Sequence, residues 1–586
     1  MPLMLYGAEI EDEDKELSID NFVELVDDQS WEEFMPRDVT KEIFQRFKRY
    51  YDPDVFREAG KRIREIARMA DKFTIEERIG RITALFATFR NPDKETVLTP
   101  WRVVNMHLAD SLGGYCFMDK AFAQPLDIPR QVVIEGVTDK VFHPKSRILE
   151  INSKSGLYPL YAAYSIYRAR LREASEKYGE VNRAFALRLW DQTLEENILV
   201  VCKTPMARSI TRRTLAGFRK TVVHAEYYPE LIETITTKPD CVVNMLRSGK
   251  RFWKINDDEM IKIDAIIGNP PYQVMDGGAA GTGAVAIYND FVTLSKSIAP
   301  HYISMIMPAR WYTGGKGLDA FREAMLQDRR IRQMFDYPNP KECFPNTNIS
   351  GGVCYFLWDR NYDDLCTFEN IICGKRTRML RRLDEYEIFI RYNTALSIVH
   401  KVLSHSGFSS LSDLVSTRNV FGLSSSVRGA LDQGAEHTLQ VYTSGGLGWI
   451  EEDSVTAGVS LIDKHKVFMG KVLSGHLGET DEHGQVKVIA TIYTAKPREV
   501  CTDSYLVIGG FATHQEALNL AAYLKTKTLR YLLLQALASM NMSRGNFRFV
   551  PVLDFSKTWT DEMLYERFGF TEGEISTIEQ AIKSIS

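Results

Sequence analysis

The sequence is poor in the residue patterns that mark metal-binding, secreted and membrane proteins. Its 586 residues include eight scattered cysteines that form no Cys-x-x-Cys pair, and no His/Cys cluster has zinc-ligand spacing. The cysteines therefore favour reduced core residues over disulfides, and we expect no metal site. The amino terminus is acidic, and no apolar run approaches the ~20 residues that a membrane span needs. We expect a cytoplasmic protein.

The chain also lacks a strong excess of one charge. It has 73 lysine and arginine residues against 77 aspartate and glutamate residues, for a net charge of −4. Any contact with nucleic acid must therefore come from a local basic surface. The Pro-Asp…(Asp/Glu)-x-Lys pattern of a nuclease occurs only as fragments at 13–15 and 92–95, without strand context. We predict no DNA cleavage by this chain.

The pattern of apolar residues divides the chain into three regions, without internal repeats or a low-complexity tail. Residues 1–95 are highly charged with apolar residues at helical spacing, which predicts a helical region with Asp38 or Thr40 as one cap. Residues 96–368 alternate helices with short apolar strands, which is typical of a parallel α/β sheet. Residues 369–586 mix strand-like and helical runs, which predicts an α+β region.

The predicted elements of the last two regions have approximate bounds. In residues 96–368 the strands are 146–151, 197–202, 221–224, 265–268, 302–307, 331–336 and 352–357, and helices are 166–178 and 318–327. In residues 369–586 we predict strands at 486–493 and 505–510, a helix at 516–526, and a capping box at 571–574 that opens the last helix.

The most informative segment is Asn269-Pro270-Pro271-Tyr272, which follows the apolar run 263–268. Two consecutive prolines stop a strand in a rigid loop at its carboxyl end, where open α/β sheets bind ligands. The Asn269 side-chain oxygen and the Pro270 carbonyl can both accept hydrogen bonds from one NH2 group. Tyr272 offers a face for stacking, so the loop suits a planar amino group.

This segment resembles the catalytic motif of S-adenosylmethionine-dependent amino methyltransferases, above all the DNA N6-adenine enzymes. The resemblance implies that Asn269 and Pro270 hold the exocyclic nitrogen of a flipped adenine while Pro271 stiffens the loop and Tyr272 stacks on the base. Methyl transfer then proceeds by direct displacement. Positioning supplies most of the acceleration, so no general base is expected.

A Thr-Pro pair lies upstream, where Thr99 and Pro100 precede the apolar helical pattern 101–106. Thr99 can cap that helix and Pro100 suits its first turn. The pair also resembles the Thr-Pro element before the cofactor loop in the γ arrangement of adenine methyltransferases. That resemblance implies that Thr99 and Pro100 lie at the edge of the cofactor site.

The segment 148–157 reads as a strand that ends in an acidic residue and a loop of small residues before a helix. This is the cofactor-binding turn of a Rossmann-like half. The family normally has Asp-Pro-x-x-Gly-x-Gly here, and only Glu150 and Gly156 stay in register. The resemblance implies that Glu150 holds the amino group of S-adenosylmethionine, with Asn152 and Gly156 beside it.

The next strand, 197–202, departs further from the family. The resemblance places an acid that binds the ribose hydroxyls at the position of Cys202, and thiols are poor acceptors. Either Thr204 or another residue supplies the contact, or cofactor binding is weak. A non-catalytic protein with a methyltransferase fold therefore stays open.

Two further loops are candidates for substrate contacts. The glycine-rich segment 277–283 suits a loop that orders over substrate, although a plain surface loop fits equally well. In the family an aromatic residue of the loop 343–352 packs against the flipped adenine. The resemblance implies Phe344 for this role, with a core phenylalanine as the alternative.

The region after residue 370 resembles the target-recognition region of γ-type enzymes. The basic run 375–382 contains three candidate phosphate contacts, and 543–548 contains two arginines that we assign to DNA binding. The alternative is a solvated helix face for the first segment and a turn for the second. The candidate DNA-binding residues are Arg378, Arg381, Arg382, Arg544 and Arg548.

Together, the motifs and the resemblance predict an α/β protein with a Rossmann-like methyltransferase sheet and helices on both of its faces. We expect a helical region before this sheet and an α+β target-recognition region after it. The order of motifs resembles the methylase portion of single-chain restriction-modification enzymes. It implies a DNA adenine N6-methyltransferase of a restriction-modification or phage-defence system. Double-stranded DNA is the expected partner, and the helical region 1–95 can dock a nuclease or helicase subunit.

Three other functions stay open at this stage. Protein-glutamine methyltransferases share the Asn-Pro-Pro-Tyr motif but lack a long carboxyl-terminal region. N4-cytosine methyltransferases more often carry serine at the position of Asn269. The third is a non-enzymatic, DNA-binding member of a defence complex that has lost its cofactor, and the altered residues at 151–155 and Cys202 keep it open.

Overall fold

A computed structural model describes most of the chain. The described residues are 1–9, 17–36, 38–89, 98–255, 260–275, 284–347, 349, 351–434, 438–472, 485–488, 490–537 and 542–585. The glycine-rich segment 277–283 and the nuclease-like fragments at 13–15 and 92–95 lie outside the described residues.

Helices predominate at the beginning and end of the described chain, and strands and helices alternate in the middle. The helices are α1 Pro2–Gly7, α2 Ile19–Leu25, α3 Asp28–Phe34, α4 Lys41–Phe47, α5 Pro53–Ala70, α6 Ile75–Ala87, α7 Trp101–Ser111, α8 Thr138–Val141, α9 Leu157–Tyr178, α10 Arg183–Asn197, α11 Pro205–Ala216, α12 Leu231–Thr237, α13 Pro239–Arg247, α14 Tyr288–Ile298, α15 Asp319–Leu326, α16 Asn393–Leu403, α17 His514–Lys525, α18 Lys527–Gln535, α19 Asp561–Phe568 and α20 Glu572–Ala581. The strands are β1 Gly114–Met118, β2 Pro125–Val132, β3 Ile148–Ile151, β4 Ile198–Cys202, β5 His224–Tyr227, β6 Ala265–Gly268, β7 Gln273–Met275, β8 Ala284–Ala286, β9 Tyr302–Pro308, β10 Ile331–Tyr337, β11 Val353–Asp359, β12 Cys366–Ile372, β13 Lys375–Arg381, β14 Leu439–Thr443, β15 Gly446–Ile450, β16 His465–Gly470, β17 Ile492–Ala495, β18 Glu499–Cys501 and β19 Tyr505–Phe511.

The chain divides into two compact units. The first comprises Met1–Trp311, Gly315–Gly374 and Leu380–Arg382, and the second comprises Tyr312–Gly314, Lys375–Met379 and Leu383–Ser586. The first unit contains the predicted helical region and the α/β sheet. The second contains helices α16–α20 and two three-stranded sheets.

The main sheet has nine strands, of which eight lie wholly in the first unit. These eight have the order β12-β10-β11-β9-β6-β3-β4-β5. The block from β5 to β9 is parallel throughout, whereas β11 runs antiparallel to both β9 and β10. The α/β prediction is confirmed, but the expectation of a parallel sheet is wrong at β11. The connection from β10 to β11 spans only 338–352, and its described residues contain no α-helix that could serve as a crossover, so β11 returns beside β10 in the opposite direction.

The sheet reverses its order at the pair β3 and β6. From β3 the chain proceeds to β4 and β5 on one side, and then returns to β6 and β9 on the other. In open α/β sheets, ligands bind at such a switch point, outside the carboxyl ends of the strands. Glu150 lies opposite Ile267 in the parallel register, so the segments that follow β3 and β6 emerge side by side.

The amino-terminal region is helical, as predicted, and packs against the sheet unit. Thr40 caps α4 by accepting a hydrogen bond from the Ile43 amide. The buried side chain of Arg78 donates to the carbonyls of Arg213 and Thr214 at 2.9 and 2.8 Å. A buried guanidinium needs such partners, so these bonds join α6 to the end of α11.

The second unit has cores of its own. β14 pairs with β15 and β18, and β16 pairs with β17 and β19. The predicted strand at 505–510 and helix at 516–526 agree with β19 and α17, and Thr571 opens α20 with a full capping box. The prediction of a strand over 486–493 is wrong: among the described residues of this segment, Val486 forms an isolated bridge with Ile582, and the strand begins only at Ile492. Among the described residues, no helix is long and apolar enough to cross a membrane.

Candidate active site

The motif loop, residues 269–272, leaves the carboxyl end of β6 and lines a cleft at the switch point. The strand before it is completely buried, as expected for an apolar run in the middle of a sheet. All four residues of the loop line the cleft, together with Glu150 and Asn152 from the neighbouring strand end. The structure therefore brings the two segments identified from sequence into one site.

The side chain of Asn269 is held at one end only. Its Nδ2 donates a hydrogen bond to the Oγ1 of Thr99 at 2.9 Å, across 170 residues of sequence. Its Oδ1 is buried and accepts no hydrogen bond from any residue that the structure describes. Burying an unpaired acceptor costs ~1–3 kcal/mol, so the loop presents an oxygen that needs a donor from a ligand.

Tyr272 combines a partly open ring with a buried hydroxyl. The ring lines the cleft and packs against the hydrophobic core, and the hydroxyl lies beside the side chain of Asn269. Burial raises the pKa of Tyr272 well above its ordinary value, so the phenol stays neutral. The ring face is therefore the part of Tyr272 that is available to a ligand in the cleft.

The loop 152–156, which the sequence predicts to bind the cofactor, connects β3 to α9. Asn152 has a φ of 69° and Gly156 a φ of 75°, both in the left-handed region. A Cβ at Gly156 would lie 3.0 Å from the Cα of Thr211, so glycine is required both for the conformation and for the close approach to α11. The Oδ1 of Asn152 is buried, and no described residue donates to it.

Glu150 is a buried acid at the end of β3. Its Oε2 has no hydrogen-bond donor among the described residues, and burial raises the pKa of its carboxyl to about 8, partly offset by Ser153. The carboxyl is therefore largely protonated at neutral pH in the free protein. A ligand cation beside it would favour the charged form, so binding of a cation would release a proton.

Because the pKa of Glu150 is raised, we expect the stability of the protein to depend on pH. Because the folded state binds the proton more tightly, ionisation lowers the free energy of unfolding by ~1.4 kcal/mol per pH unit between the unfolded pKa of ~4.3 and the folded value of about 8. Glu150→Gln keeps the shape and removes the titration. We expect this variant to be a few kcal/mol more stable than wild type at pH 8, with only a small difference at pH 5.

Chemical denaturation at both pH values measures this difference. Glu176→Gln, on the exposed face of α9, is the matched control and should match wild type at both. A stability difference for Glu150→Gln that does not change with pH would show that Glu150 is already ionised.

A series of hydrogen bonds between buried side chains holds Tyr158, one of the residues that line the cleft. Tyr158, which lines the cleft, shares a hydrogen bond of 2.9 Å with the Nδ1 of His107. The Nε2 of His107 lies 2.8 Å from the Oγ of Ser304, and Ser304 is 2.7 Å from the Oγ of Ser111. Burial lowers the pKa of His107 to about 3, so the ring is neutral and serves to fix Tyr158.

The other candidate cofactor residues lie in different places. Thr99 does not cap α7 as expected, because its hydroxyl accepts a hydrogen bond from the Asn269 side-chain amide. Pro100 is the N-cap residue of α7 and lines a separate groove. Thr204 is fully buried, caps α11, and donates to the Oε2 of Glu33 at 2.5 Å. Gly156 packs against α11, and its neighbour Ser155 is the residue that lines the cleft.

Phe344 does not line the cleft. Its side chain is 2% exposed and belongs to the main hydrophobic core, which agrees with the alternative reading of a core phenylalanine. From the same segment, Thr347 and Ile349 line the cleft instead. An apolar ring gains more from complete burial in the core than from a position at the edge of an open cleft.

The predicted DNA-binding arginines also differ in exposure. Arg378 and Arg382 are exposed, whereas Arg381 is buried with its guanidinium 5.5 Å from the ring centre of Phe368. Arg381 is therefore wrong as a phosphate contact, because its side chain faces the protein interior. Arg544 donates to the carbonyl of Ser412, and Arg548 donates to that of Gly545 and to Glu387, while both keep exposed surface.

Several residues of the cleft were not among those predicted from the sequence. Three basic side chains line it, and Tyr158 and Tyr288 add aromatic surface. The missed basic residues are Lys154, Arg310 and Lys316. The signal for Arg310 was present, since it follows the Met307-Pro308 end of a strand, but sequence alone did not show its direction.

Residues 196–344 match the family model of the Eco57I restriction-modification methylase. The matched segment contains β4, β6 and the whole motif loop. A stretch of 142 residues is 36% identical to an "Uncharacterized adenine-specific methylase" of Mycoplasma pneumoniae, and covers 22% of this chain and 34% of that relative. The resemblance to restriction-modification methylases is confirmed, over a match of about one third of the relative's length.

Solved structures of restriction enzymes are similar to this chain at lower sequence identity. The type IIG restriction endonuclease BpuSI is 10% identical with a TM-score of 0.35, and the match covers 99% of this chain and 76% of that one. The DrdV–DNA complex is 10% identical with a TM-score of 0.40, over 88% of this chain and 61% of that one.

Proposed function

We propose that this chain is a DNA adenine N6-methyltransferase of a restriction-modification or phage-defence system, with S-adenosylmethionine as methyl donor. The main support for this proposal is the orientation of Asn269. Its Nδ2 is fixed by Thr99, while its buried Oδ1 has no donor among the described residues. An exocyclic NH2 group supplies that donor. The matches to restriction-modification and adenine-specific methylases support adenine as the base.

The residues of the cleft fit the nucleoside cofactor. The buried oxygens of Glu150 and Asn152, which line the cleft, have no donor among the described residues and would accept hydrogen bonds from the cofactor. We assign the amino group of the cofactor to Glu150, and the edge of its methionine part to Thr99. When bound, S-adenosylmethionine supplies an electrophilic methyl group.

The chain's own residues then position the acceptor. Asn269 Oδ1 and the Pro270 carbonyl accept hydrogen bonds from the adenine amine, which orients the nitrogen lone pair toward the cofactor end of the cleft. Tyr272 stacks on the base, and the neutral His107 keeps Tyr158 in place below it. The adenine must leave the duplex to reach this loop, at a cost of ~a few kcal/mol.

The cleft also offers charge for the DNA backbone. Lys154, Arg310 and Lys316 line it, whereas the chain as a whole is slightly acidic. Local basic groups of this kind contact phosphates and position the strand. We assign base-sequence readout to residues 383–585 of the second unit, which include the exposed arginines Arg544 and Arg548.

The first experiment is calorimetric titration of S-adenosylmethionine into the purified protein, followed by transfer of a labelled methyl group to unmethylated DNA. We expect micromolar binding and, after digestion of the DNA, labelled N6-methyladenine. Binding at pH 7 should release a proton, because Glu150 is largely protonated in the free protein. Two buffers with different ionisation enthalpies measure that release.

The product distinguishes the alternatives. Labelled N4-methylcytosine would change the target base, and label in a protein but not in DNA would indicate a glutamine methyltransferase. DNA binding without any affinity for the cofactor would contradict the enzyme proposal and favour a non-catalytic subunit.

A further inference from the structure

Glu33 lies at the carboxyl end of β4, although it belongs to the amino-terminal helix α3. Its carboxylate Oε2 accepts a hydrogen bond of 2.5 Å from the Oγ1 of Thr204, across 171 residues of sequence. On the same helix, the Oγ of Ser30 accepts a hydrogen bond from the amide of Met206 at 3.1 Å. These two contacts hold α3 against the first turn of α11.

The second carboxylate oxygen of Glu33 is unused. Glu33 is 6% exposed, and its Oε1 is buried without a hydrogen-bond donor among the described residues. A carboxylate oxygen accepts up to two hydrogen bonds, and leaving a buried one unpaired is costly. Capping of α11 does not explain Glu33, because Ser30 and Thr204 already accept from the amides of Met206 and Ala207.

The strand beside Glu33 lacks an acid of its own. β4 ends at Cys202, whose completely buried thiol lies 3.8 Å from the hydroxyl of Thr211. Burial raises the pKa of this thiol well above its ordinary value, and the charges of Glu150 and Glu33 raise it further. Cys202 is therefore a neutral, weak acceptor and cannot take the place of an acid.

The cofactor loop also contacts α11. The hydroxyl of Ser153 is 3.2 Å from that of Thr211, while Glu33 is bound at Thr204, the cap of that helix. Thr204 and Thr211 are seven residues apart, or roughly 10 Å along a helix. A ligand that contacts both the loop and Glu33 must therefore be extended, as a nucleoside with a substituent at its 5′ carbon is.

We propose that Glu33 accepts hydrogen bonds from the ribose hydroxyls of the nucleoside cofactor and replaces the acid that β4 lacks. Thr204 is a positioning residue that holds this carboxylate at the strand end. In dinucleotide-binding folds an acid after the second strand makes the equivalent contact. The inference rests on the proposed cofactor and gives the amino-terminal helical region a direct part in its binding.

The test compares two ligands by calorimetry: S-adenosylhomocysteine and its 2′,3′-dideoxy analogue. Glu33→Gln keeps the acceptor for Thr204 but removes the charge. We expect this variant to bind S-adenosylhomocysteine ~tenfold or more weakly than wild type, because charge-assisted hydrogen bonds are lost. Its affinity for the dideoxy analogue should equal that of wild type.

Two further variants complete the test. Glu32→Gln, on the exposed face of the same helix, should bind both ligands like wild type. Thr204→Val should weaken S-adenosylhomocysteine binding several-fold with little effect on the analogue, because it frees the carboxylate to move. The loss of the α11 cap should lower its thermal stability, and any effect of that loss on binding should be equal for both ligands. Thermal unfolding of each variant establishes that it is folded.

The outcomes separate the two proposals. Equal affinity of wild type and Glu33→Gln for S-adenosylhomocysteine would overturn the role of Glu33 and leave the methyltransferase proposal intact. Equal losses for both ligands would also overturn it and indicate a structural role for α3. Failure of wild type to bind either ligand would contradict both proposals.

Discussion

Asn269→Ala is expected to lose methyl transfer by a factor on the order of a thousand while keeping its affinity for S-adenosylmethionine. The variant removes the Oδ1 that orients the target amine, and it leaves Glu150 and Asn152 untouched. Positioning and electrostatic orientation supply most of the acceleration for a direct displacement. Single-turnover transfer to DNA measures the rate, and calorimetry measures cofactor affinity.

The control for this variant is Asn361→Ala, which alters an exposed asparagine of the sheet unit and should transfer methyl groups at the wild-type rate. Thr99→Val should give an intermediate loss, because it removes the acceptor that fixes the Asn269 amide. Asn269→Ala with wild-type activity would show that another residue holds the amine. Loss of cofactor binding in Asn269→Ala would show that the residue belongs to the cofactor site.

Tyr272→Ala is the second large expected effect. Stacking of a base on an aromatic ring is worth ~1–3 kcal/mol, so kcat/KM for DNA should fall roughly 5- to 150-fold. Tyr272→Phe keeps the ring and removes only a hydroxyl that is buried and neutral. We expect Tyr272→Phe to act within a few-fold of wild type.

Steady-state methylation and cofactor titration of both variants measure these effects. Tyr178→Ala, at the exposed carboxyl end of α9, controls for the loss of a tyrosine elsewhere in the same unit. An equal loss in Tyr272→Ala and Tyr272→Phe would assign the effect to the hydroxyl. An effect on cofactor affinity rather than on DNA would place the ring against the cofactor.

The sequence by itself determined the parts of the site that depend on local chemistry. The apolar run before Asn269 and the two prolines after it fix a strand and its end, and the structure has β6 with the bounds predicted. The acid at Glu150 and the small residues after it likewise fix a strand, a turn and a helix. Rotamer, hydrogen-bond and turn preferences act over a few residues, so a short segment contains the information.

Other sequence expectations failed where packing over long separations decides the outcome. Phe344 is predicted to pack against the substrate base, but its ring is buried in the hydrophobic core. Arg381 was a candidate for DNA, but its guanidinium is buried near Phe368. The sheet was expected to be parallel, and β11 is reversed. None of these choices is encoded in the few residues around the position.

The tertiary structure alone decided which distant residues meet at the site. Thr99 joins Asn269 across 170 residues, and Glu33 joins Thr204 across 171. The partner of a buried polar atom is whichever group the folded core places beside it, and the hydrogen-bonding capacity of a residue type does not name that partner. The sequence therefore determined the chemistry of the loops, whereas the fold decided that the amino-terminal helix brings a carboxylate to a strand that ends in cysteine.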